Sequence, residues 1–414
     1  MSQAVKKSIF FSILLAFSLS ASFAFAAPLA PQEGPRYFIK TNNSFWHKSF
    51  GVRHVFENGF TADLSGIQVA LSKLFGLEVV PVELLHILPE SVINHPEAGE
   101  PLAKSEKPAG KPVEPVRVVP TDQTPWGIET IYNNSLITLT SGGLNVNVAV
   151  LDTGILKIHP DLVSRIKQCK DFTAPKVSVK DLVCEDKHGH GTHVAGVILA
   201  DGGADKLGIY GVAPEANVYA YKVCGNDGSC WADDIAVAIR TAADNGTNVI
   251  NLSLGSDLES GLIRDAINYA VGKDVLIVAA AGNDGPYPVS IDYPAADPNV
   301  IGVGAFDLLT EGPEWSSRGD NPNTAPYTVE KKDMEFGAPG VNIESTWKNG
   351  GYVILSGTSM ASPHIAGLAA KYWQSEALKG TKAQKTRDLL QAIAKDIWTL
   401  GDDEATGFGL PQVK

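Results

Sequence analysis

Cysteine is scarce in this chain. There are four in 414 residues, at positions 169, 184, 224 and 230, and no two have the C-x-x-C spacing of a structural zinc site. Basic residues are also outnumbered, 34 Lys and Arg against 46 Asp and Glu. The resulting net charge of −12 argues against a nucleic-acid partner and for an acidic, soluble surface able to hold cations. Long apolar runs are absent after the first 26 residues, so no later segment reaches the roughly 20 residues a membrane-spanning helix needs. Histidine is thin too, and His364 alone follows His193. The cluster His188, His190, His193 has the look of a metal-binding turn, but a dinuclear metal hydrolase would lack ligands.

Export is the first thing the sequence does contain. Lys6 and Lys7 precede an apolar stretch from Ile9 to Phe25, and Ala24-Phe25-Ala26 is an A-x-A cleavage site. Residues 1–26 therefore read as a signal peptide, and the expected location is extracellular. Once the signal is removed, nothing calls for a membrane. In an oxidising compartment the four cysteines become expected disulfides. Three pairings exist, and closure of short loops favours 169–184 and 224–230.

Three further segments follow. Residues 36–88 read as a small α+β unit. Arg36 to Lys40 is a strand, Val52 to Leu64 a hairpin around Glu57-Asn58-Gly59, Ser65 to Phe75 a helix capped by Ser65, and Leu77 to Leu84 a strand. Residues 89–120 are rich in proline (Pro96, Pro101, Pro108, Pro112, Pro115 and Pro120 among them) with no periodicity and read as a linker open to proteolysis. From residue 121 to 414, apolar strands alternate with helices. Asn145–Leu151, Asn217–Val223, Asn248–Leu254, Asp274–Ala281 and Val300–Ala305 are strands. Gly191–Ala200, Trp231–Ala243, Leu262–Val271 and Ser359–Trp373 are helices. That pattern predicts an α/β fold, a doubly wound and mostly parallel sheet with helices on both faces. Its ligand site belongs beyond the carboxyl ends of the strands.

Three polar residues fall at such ends or at helix starts. Asp152 closes the run Val148-Ala149-Val150-Leu151, His190 opens a small-residue helix, and Ser359 opens the helix after Gly357-Thr358. Taken singly, each has a structural reading: Asp152 as a turn former, Ser359 as a helix cap. Together they are an acid, an imidazole and a hydroxyl. Nucleophilic acyl transfer needs these three roles.

Asp152-Thr153-Gly154, His190-Gly191-Thr192-His193-Val194-Ala195-Gly196 and Gly357-Thr358-Ser359-Met360-Ala361-Ser362-Pro363 resemble the three signatures of the subtilisin-like serine peptidases, in that family's order. The likeness extends over about residues 122–412 and closes at Gly407-Phe408-Gly409-Leu410. It implies a secreted serine endopeptidase with Asp152 as orienting acid, His190 as base and Ser359 as nucleophile. Asn283, in Ala279-Ala280-Ala281-Gly282-Asn283, would donate to the oxyanion beside the Ser359 N–H. An extended protein or peptide substrate would add as a strand between Gly228-Ser229-Cys230 and Ser253-Leu254-Gly255, with Ala280, Ala281 and Gly282 as a further wall. Asp292, before Tyr293-Pro294, would line the pocket for the residue preceding the scissile bond, with Asp284 at its mouth. Structural calcium is implied at Asp161 and, near the N-terminus of the domain, at Asp122. Residues 27–88 resemble the family's inhibitory propeptide, notably His54-Val55-Phe56 and Phe60-Thr61-Ala62-Asp63-Leu64, which makes the chain's own N-terminal region an intramolecular inhibitor. Processing is then expected near residues 115–121, and the mature enzyme is expected to be a monomer. The alternative is a catalytically inactive homologue that only binds peptides.

Overall fold

A computed structural model describes residues 35–88, 91–93, 118–174, 178–321, 327–373 and 380–414. The segment expected as a signal peptide and most of the expected linker lie outside these residues. The chain divides into two compact units between Val82 and Glu83.

In the first unit, β1 (Arg36–Ile39) leads into a short helix, α1 (Ser44–Phe50), which the sequence reading did not foresee. Asn43 caps it, its Oδ1 accepting the Phe45 N–H. The hairpin β2 (Val52–Phe56) and β3 (Gly59–Asp63) turns at Glu57-Asn58. Helix α2 (Gly66–Leu74) starts with a full capping box between Ser65 and Gln68. Strand β4 (Val79–Pro81) completes a four-stranded antiparallel sheet in the order β2-β3-β1-β4. Ile39, Phe50, Phe60, Ala62 and Leu64 form its core.

The run expected as one strand from Leu77 to Leu84 is split. Its first half ends at Pro81, which has no N–H to continue a ladder. The chain resumes as β5 (Leu84–Ile87) in the second unit and, later, β6 (Ser91–Ile93).

The second unit is built on an eight-stranded sheet. After α3 (Trp126–Ile131), its strands and helices are β7 (Asn147–Asp152), β8 (Ile166–Asp171), β9 (Lys180–Asp181), α4 (His190–Leu199), β10 (Asn217–Lys222), β11 (Ser229–Trp231) and α5 (Ala232–Asp244). There follow β12 (Val249–Leu252), β13 (Leu254–Gly255), α6 (Gly261–Gly272), β14 (Leu276–Ala280), β15 (Val300–Phe306) and β16 (Phe336–Pro339). Next come the hairpin β17 (Ile343–Thr346) and β18 (Tyr352–Ser356), helices α7 (Thr358–Lys371) and α8 (Lys382–Ile393), and the short pair β19 (Ala394–Lys395) and β20 (Leu410–Pro411). The sheet order is β16-β15-β14-β12-β7-β10-β8-β9, parallel except for the edge strand β9.

Alternation along each strand places the helices. Val148, Val150, Val218, Ala220, Val278 and Val303 share one cluster with residues of α4, α7 and α8. The intervening Ala149, Leu151, Ile250 and Ile277 are equally buried. They lie on the opposite face, where α5 packs on β7 and α6 on β14. Both faces are therefore covered, which is why these strands read as continuous apolar runs. The chain lays down β8 and β10 on one side of β7, then β12, β14, β15 and β16 on the other. The crevice of such a reversal lies at the carboxyl end of β7, where Asp152 stands. Disulfides join Cys169 to Cys184 and Cys224 to Cys230, with Cα atoms 5.2 and 4.2 Å apart. Among the described residues no helix is long and apolar enough to cross a membrane.

Candidate active site

Asp152 is held by its own backbone before its side chain does anything. The Asp152 carbonyl accepts the N–H groups of Val223 and Cys224, at 2.9 and 3.2 Å, which fixes the end of β7 against the end of β10. Its Oδ1 accepts the Thr153 N–H at 2.6 Å and the Nδ1–H of His190 at 2.7 Å. Asp152 and His190 are both fully buried. His190 is the first residue of α4, and its neighbour Gly191 packs directly onto the Asp152 turn. A Cβ at position 191 would lie 2.2 Å from the Gly154 carbonyl oxygen and 2.9 Å from Asp152 Oδ1. The residue before His190, Gly189, has φ +111° and abuts the Trp347 ring, a left-handed conformation open to glycine without strain.

A buried carboxylate that no sequence pattern announced organises this turn. Asp186 Oδ1 accepts from the N–H of Gly189 and His188 and from Thr153 Oγ1, at 2.7 to 3.0 Å. Its Oδ2 accepts from Thr192 N–H and Oγ1. One side chain thus satisfies the donors at the start of α4 and ties them to the Asp152 strand. Lys222 lies behind it, its Nζ donating to the Thr153 carbonyl at 2.7 Å. Burial lowers the Lys222 pKa, against the opposing pull of Asp186, Asp171 and Asp152.

The other two late histidines have structural partners. His193 Nε2–H donates to the carbonyls of Ile343 and Val353, and burial lowers its pKa to about 3. His364 Nδ1–H donates to the Met360 carbonyl, with a pKa lowered by burial to about 4. Both stay neutral at ordinary pH, and His193 ties α4 to the β17–β18 hairpin.

Ser359 is the second residue of α7, so it is not the cap; Gly357 occupies that position without any side-chain cap. Its N–H is among the first four of the helix, which have no intrahelical acceptor. Ser359 Oγ lies 3.3 Å from the Ser253 carbonyl at the end of β12. Pro363 sits inside α7 and has no N–H to give the Ser359 carbonyl four residues back. Ser253 Oγ–H fills that role at 3.0 Å. Ser253 Oγ also contacts Ser362 Oγ and accepts from Asn251 Nδ2, both at 3.0 Å. The proline therefore leaves a gap in the helix ladder that fastens Ser359 to the sheet edge.

Asn283 follows β14. Its Oδ1 accepts from the Thr358 N–H at 3.0 Å and from Thr358 Oγ1 at 2.9 Å. That tethers the side chain to the residue before Ser359 and leaves Nδ2 as its donor end.

The cleft between β11 and β13 holds a strand of the chain itself. β5 pairs antiparallel with both, with His86 opposite Ser229 and Gly255, and Ile87 opposite Leu254. Ile87 N–H donates to the Gly228 carbonyl at 3.0 Å. Leu85 lies in a hollow with Leu258, Ile263, Ile267 and Tyr293. One residue beyond Ile87, this register brings Leu88 opposite Ser253, whose carbonyl contacts Ser359 Oγ.

A family model described as "Subtilase family" matches residues 143–409. A subtilisin of Bacillus sp. (strain TA39) is 46% identical over 385 residues, 89% of this chain and 87% of that protein. The chain belongs to the subtilase family. An alkaline protease of Alkalihalobacillus alcalophilus is 37% identical over 87% of this chain and 86% of its own length. Two solved structures each cover 71% of this chain and 99% of their own. They are Sphericase, with a TM-score of 0.68 and 48% identity, and the S41 Psychrophilic Protease, with 0.67 and 50%. This subtilase is a serine endopeptidase, and nothing in these relationships favours an inactive homologue.

The subtilase site also corrects one calcium expectation. Asp161 is buried, its Oδ2 accepting from Ile209 N–H at 3.0 Å and from the Tyr352 hydroxyl at 2.6 Å. Its carboxylate lies against Gly208. Asp122 does not join it. The Asp122 side chain is exposed and turns back onto its own backbone, Oδ1 accepting the Thr124 N–H at 2.9 Å. The next residue, Gln123, reaches the loop instead, its amide at 2.8 and 2.9 Å from the Lys206 and Gly208 carbonyls.

Proposed function

We propose that this serine endopeptidase cleaves peptide bonds through Asp152, His190 and Ser359, with Asn283 and the Ser359 N–H stabilising the oxyanion. The observation that carries this reading is the buried 2.7 Å contact between Asp152 Oδ1 and His190 Nδ1 at the carboxyl edge of the sheet. The carboxylate accepts the Nδ1 proton and so leaves Nε2 as the base. Ser359 Oγ attacks the scissile carbonyl carbon as its proton passes to His190. The imidazolium then gives that proton to the leaving amine, and water hydrolyses the acyl-enzyme by the same route. The start of α7 adds a favourable dipole for the oxyanion.

Substrate binds as an added strand, as β5 does, along Gly228-Ser229-Cys230 and Ser253-Leu254-Gly255, with Ala280, Ala281 and Gly282 beside Asn283. The Cys224–Cys230 bridge stiffens one of these walls. Residues 84–88 act as an intramolecular inhibitor at the end of a propeptide. The residue after Leu88 is Pro89. Its tertiary amide has no N–H and a ring on the leaving nitrogen, so the bond beside Ser359 is a poor one to cut. Processing accordingly falls downstream, near residues 115–121, after removal of the signal peptide on export. The mature product acts outside the cell as a monomer.

Calcium fits the loop 201–210 in its donor chemistry. The Asp161 carboxylate, the carbonyls of Lys206 and Gly208 and the oxygen of a turned Gln123 amide are hard ligands. The ion would fix this loop and take no part in the reaction. Chelation is expected to lower the Tm of the mature enzyme and calcium to restore it; an unchanged Tm would count against the site.

The test of the function is intact-mass spectrometry of expressed wild type beside Ser359→Ala. The wild type should lose its N-terminal region with a new terminus near residues 115–121, and the variant should keep it. Equal processing of both would contradict self-cleavage.

A further inference from the structure

Beside Ser253 the cleft has a charged floor that the reaction does not use. After a loop that leaves Asn283, the chain returns at Ile291 to Tyr293 between the Ala281-Gly282 wall and the Gly255-Ser256 wall. Asp292 N–H donates to the Ala281 carbonyl at 2.8 Å, and Tyr293 and Ser256 exchange a pair of backbone hydrogen bonds at 2.9 and 3.0 Å. This places the Asp292 carboxylate between the walls. A Cβ on Gly255 would lie 2.7 Å from Asp292 Oδ2, and one on Gly282 would lie 2.8 Å from it. Asp292 is only 2% exposed, and its Oδ1 accepts no hydrogen bond among the described residues. A buried, unmatched carboxylate oxygen is costly unless something pairs with it.

Two more acids converge on it. Asp257, just past β13, and Asp284, just past Asn283, each bring a carboxylate oxygen within 4.8 Å of the others. No ion pair to Asp292 forms among the described residues. Lys331, which lies over the Tyr293 ring, donates to Glu259 at 2.7 Å, and Arg264 engages the same Glu259 at 3.1 Å. Both cations are thus engaged by Glu259. Burial, then Asp284 and Asp257, raise the Asp292 pKa to about 7. Its carboxyl is therefore neutral below that pH and charged above it.

We infer that Asp292, with Asp284 and Asp257, selects substrates with lysine or arginine immediately before the scissile bond. The inference rests on the endopeptidase reading above and adds the substrate class. The strand register supplies the link. The occupant residue opposite Ser253 is the one whose peptide bond faces Ser359, and its side chain is next to the walls that enclose Asp292. A lysine or arginine brings a cation on an apolar stem: the stem passes Gly255 and Gly282, and the cation meets the orphaned oxygen. The resident strand presents Leu88 there, which has no charge to offer. It occupies the cleft without satisfying the floor.

The test uses the mature enzyme and two peptides identical except for lysine or methionine before the scissile bond. Their kcat/KM ratio is read from pH 6 to 9. A ratio within one preparation does not depend on the fraction folded. The expected result is a preference for lysine of about tenfold or more at pH 8.5. It should decline as pH falls through about 7, where Asp292 takes up a proton. Asp292→Asn should bring the ratio to one or below and flatten its pH dependence, and Asp257→Asn should lower it in part. A wild-type ratio of one or less at every pH would overturn the inference, as would a ratio unmoved by Asp292→Asn. A lysine preference abolished by millimolar calcium and restored by a chelator would overturn it too, by making the cluster a metal site. Cleavage of the methionine peptide, lost in Ser359→Ala, would keep the endopeptidase reading intact whichever way the ratio falls.

Discussion

Replacing Asp152 by asparagine should lower kcat by about 10⁴-fold, the size such a change has in other serine proteases. Asp152 Oδ1 is the acceptor for His190 Nδ1–H at 2.7 Å, and both groups are fully buried. The same oxygen also accepts the Thr153 N–H, so an asparagine that turns its amide N–H toward Nδ1 gives up that bond and drives the imidazole proton onto Nε2. The base then has no lone pair for the Ser359 proton. The carboxylate also stabilises the imidazolium formed on attack, and in a dry site its loss is poorly compensated by solvent. The measurement is kcat on an uncharged peptide at a titrated concentration of enzyme, beside Tm. A drop of less than tenfold with an unchanged Tm would remove Asp152 from the role assigned to it.

Asn283→Asp should be nearly as informative, with kcat down about 10²- to 10³-fold and KM little changed. The aspartate keeps an oxygen for Thr358, whose N–H and hydroxyl bind Asn283 Oδ1 at 3.0 and 2.9 Å. It removes only the donor, and it sets a carboxylate where negative charge develops. Asn283→Ala should fall about as far in kcat, with an added stability loss of about 1–3 kcal/mol from the orphaned Thr358 N–H. A pair of variants that differ in Tm but share a large kcat defect would separate the donor role from packing. Retention of more than a tenth of the wild-type kcat in Asn283→Asp would contradict it.

How much of this was open to a reader of the sequence depends on what fixes each residue. Asp152, His190 and Ser359 stand at the ends of strongly patterned elements, and the resemblance of the motifs around them to the subtilisin-like signatures is what suggested their roles. The sheet was legible from its pattern: β7, β10, β12, β14 and β15 are apolar on both faces. Residues whose role depends on side-chain direction within loops were not legible. Asp186 sits in an irregular stretch with no period, yet it holds the start of α4 through five donors. Asp122 and Gln123 differ by one position, and only the local turn decides which of them faces the loop after Gly203. The run from Leu77 to Leu84 was correctly extended but wrongly continuous, because an apolar pattern does not say which strands it will pair with. The hairpin of β17 and β18 left no clear alternation to read, and it supplies the carbonyls that accept from His193 Nε2–H. The role of Pro363 appears only when the Ser359 carbonyl is followed to Ser253.

The central claim is that Ser359, activated through His190 and Asp152, is the nucleophile. Its most direct test is the mapped adduct of a fluorophosphonate probe on the mature wild-type enzyme. The account predicts one probe per molecule, found on the peptide containing Ser359, and little labelling of Asp152→Asn over the same time. An adduct on another residue, or an enzyme that hydrolyses peptides while the probe leaves Ser359 unmodified, would contradict it.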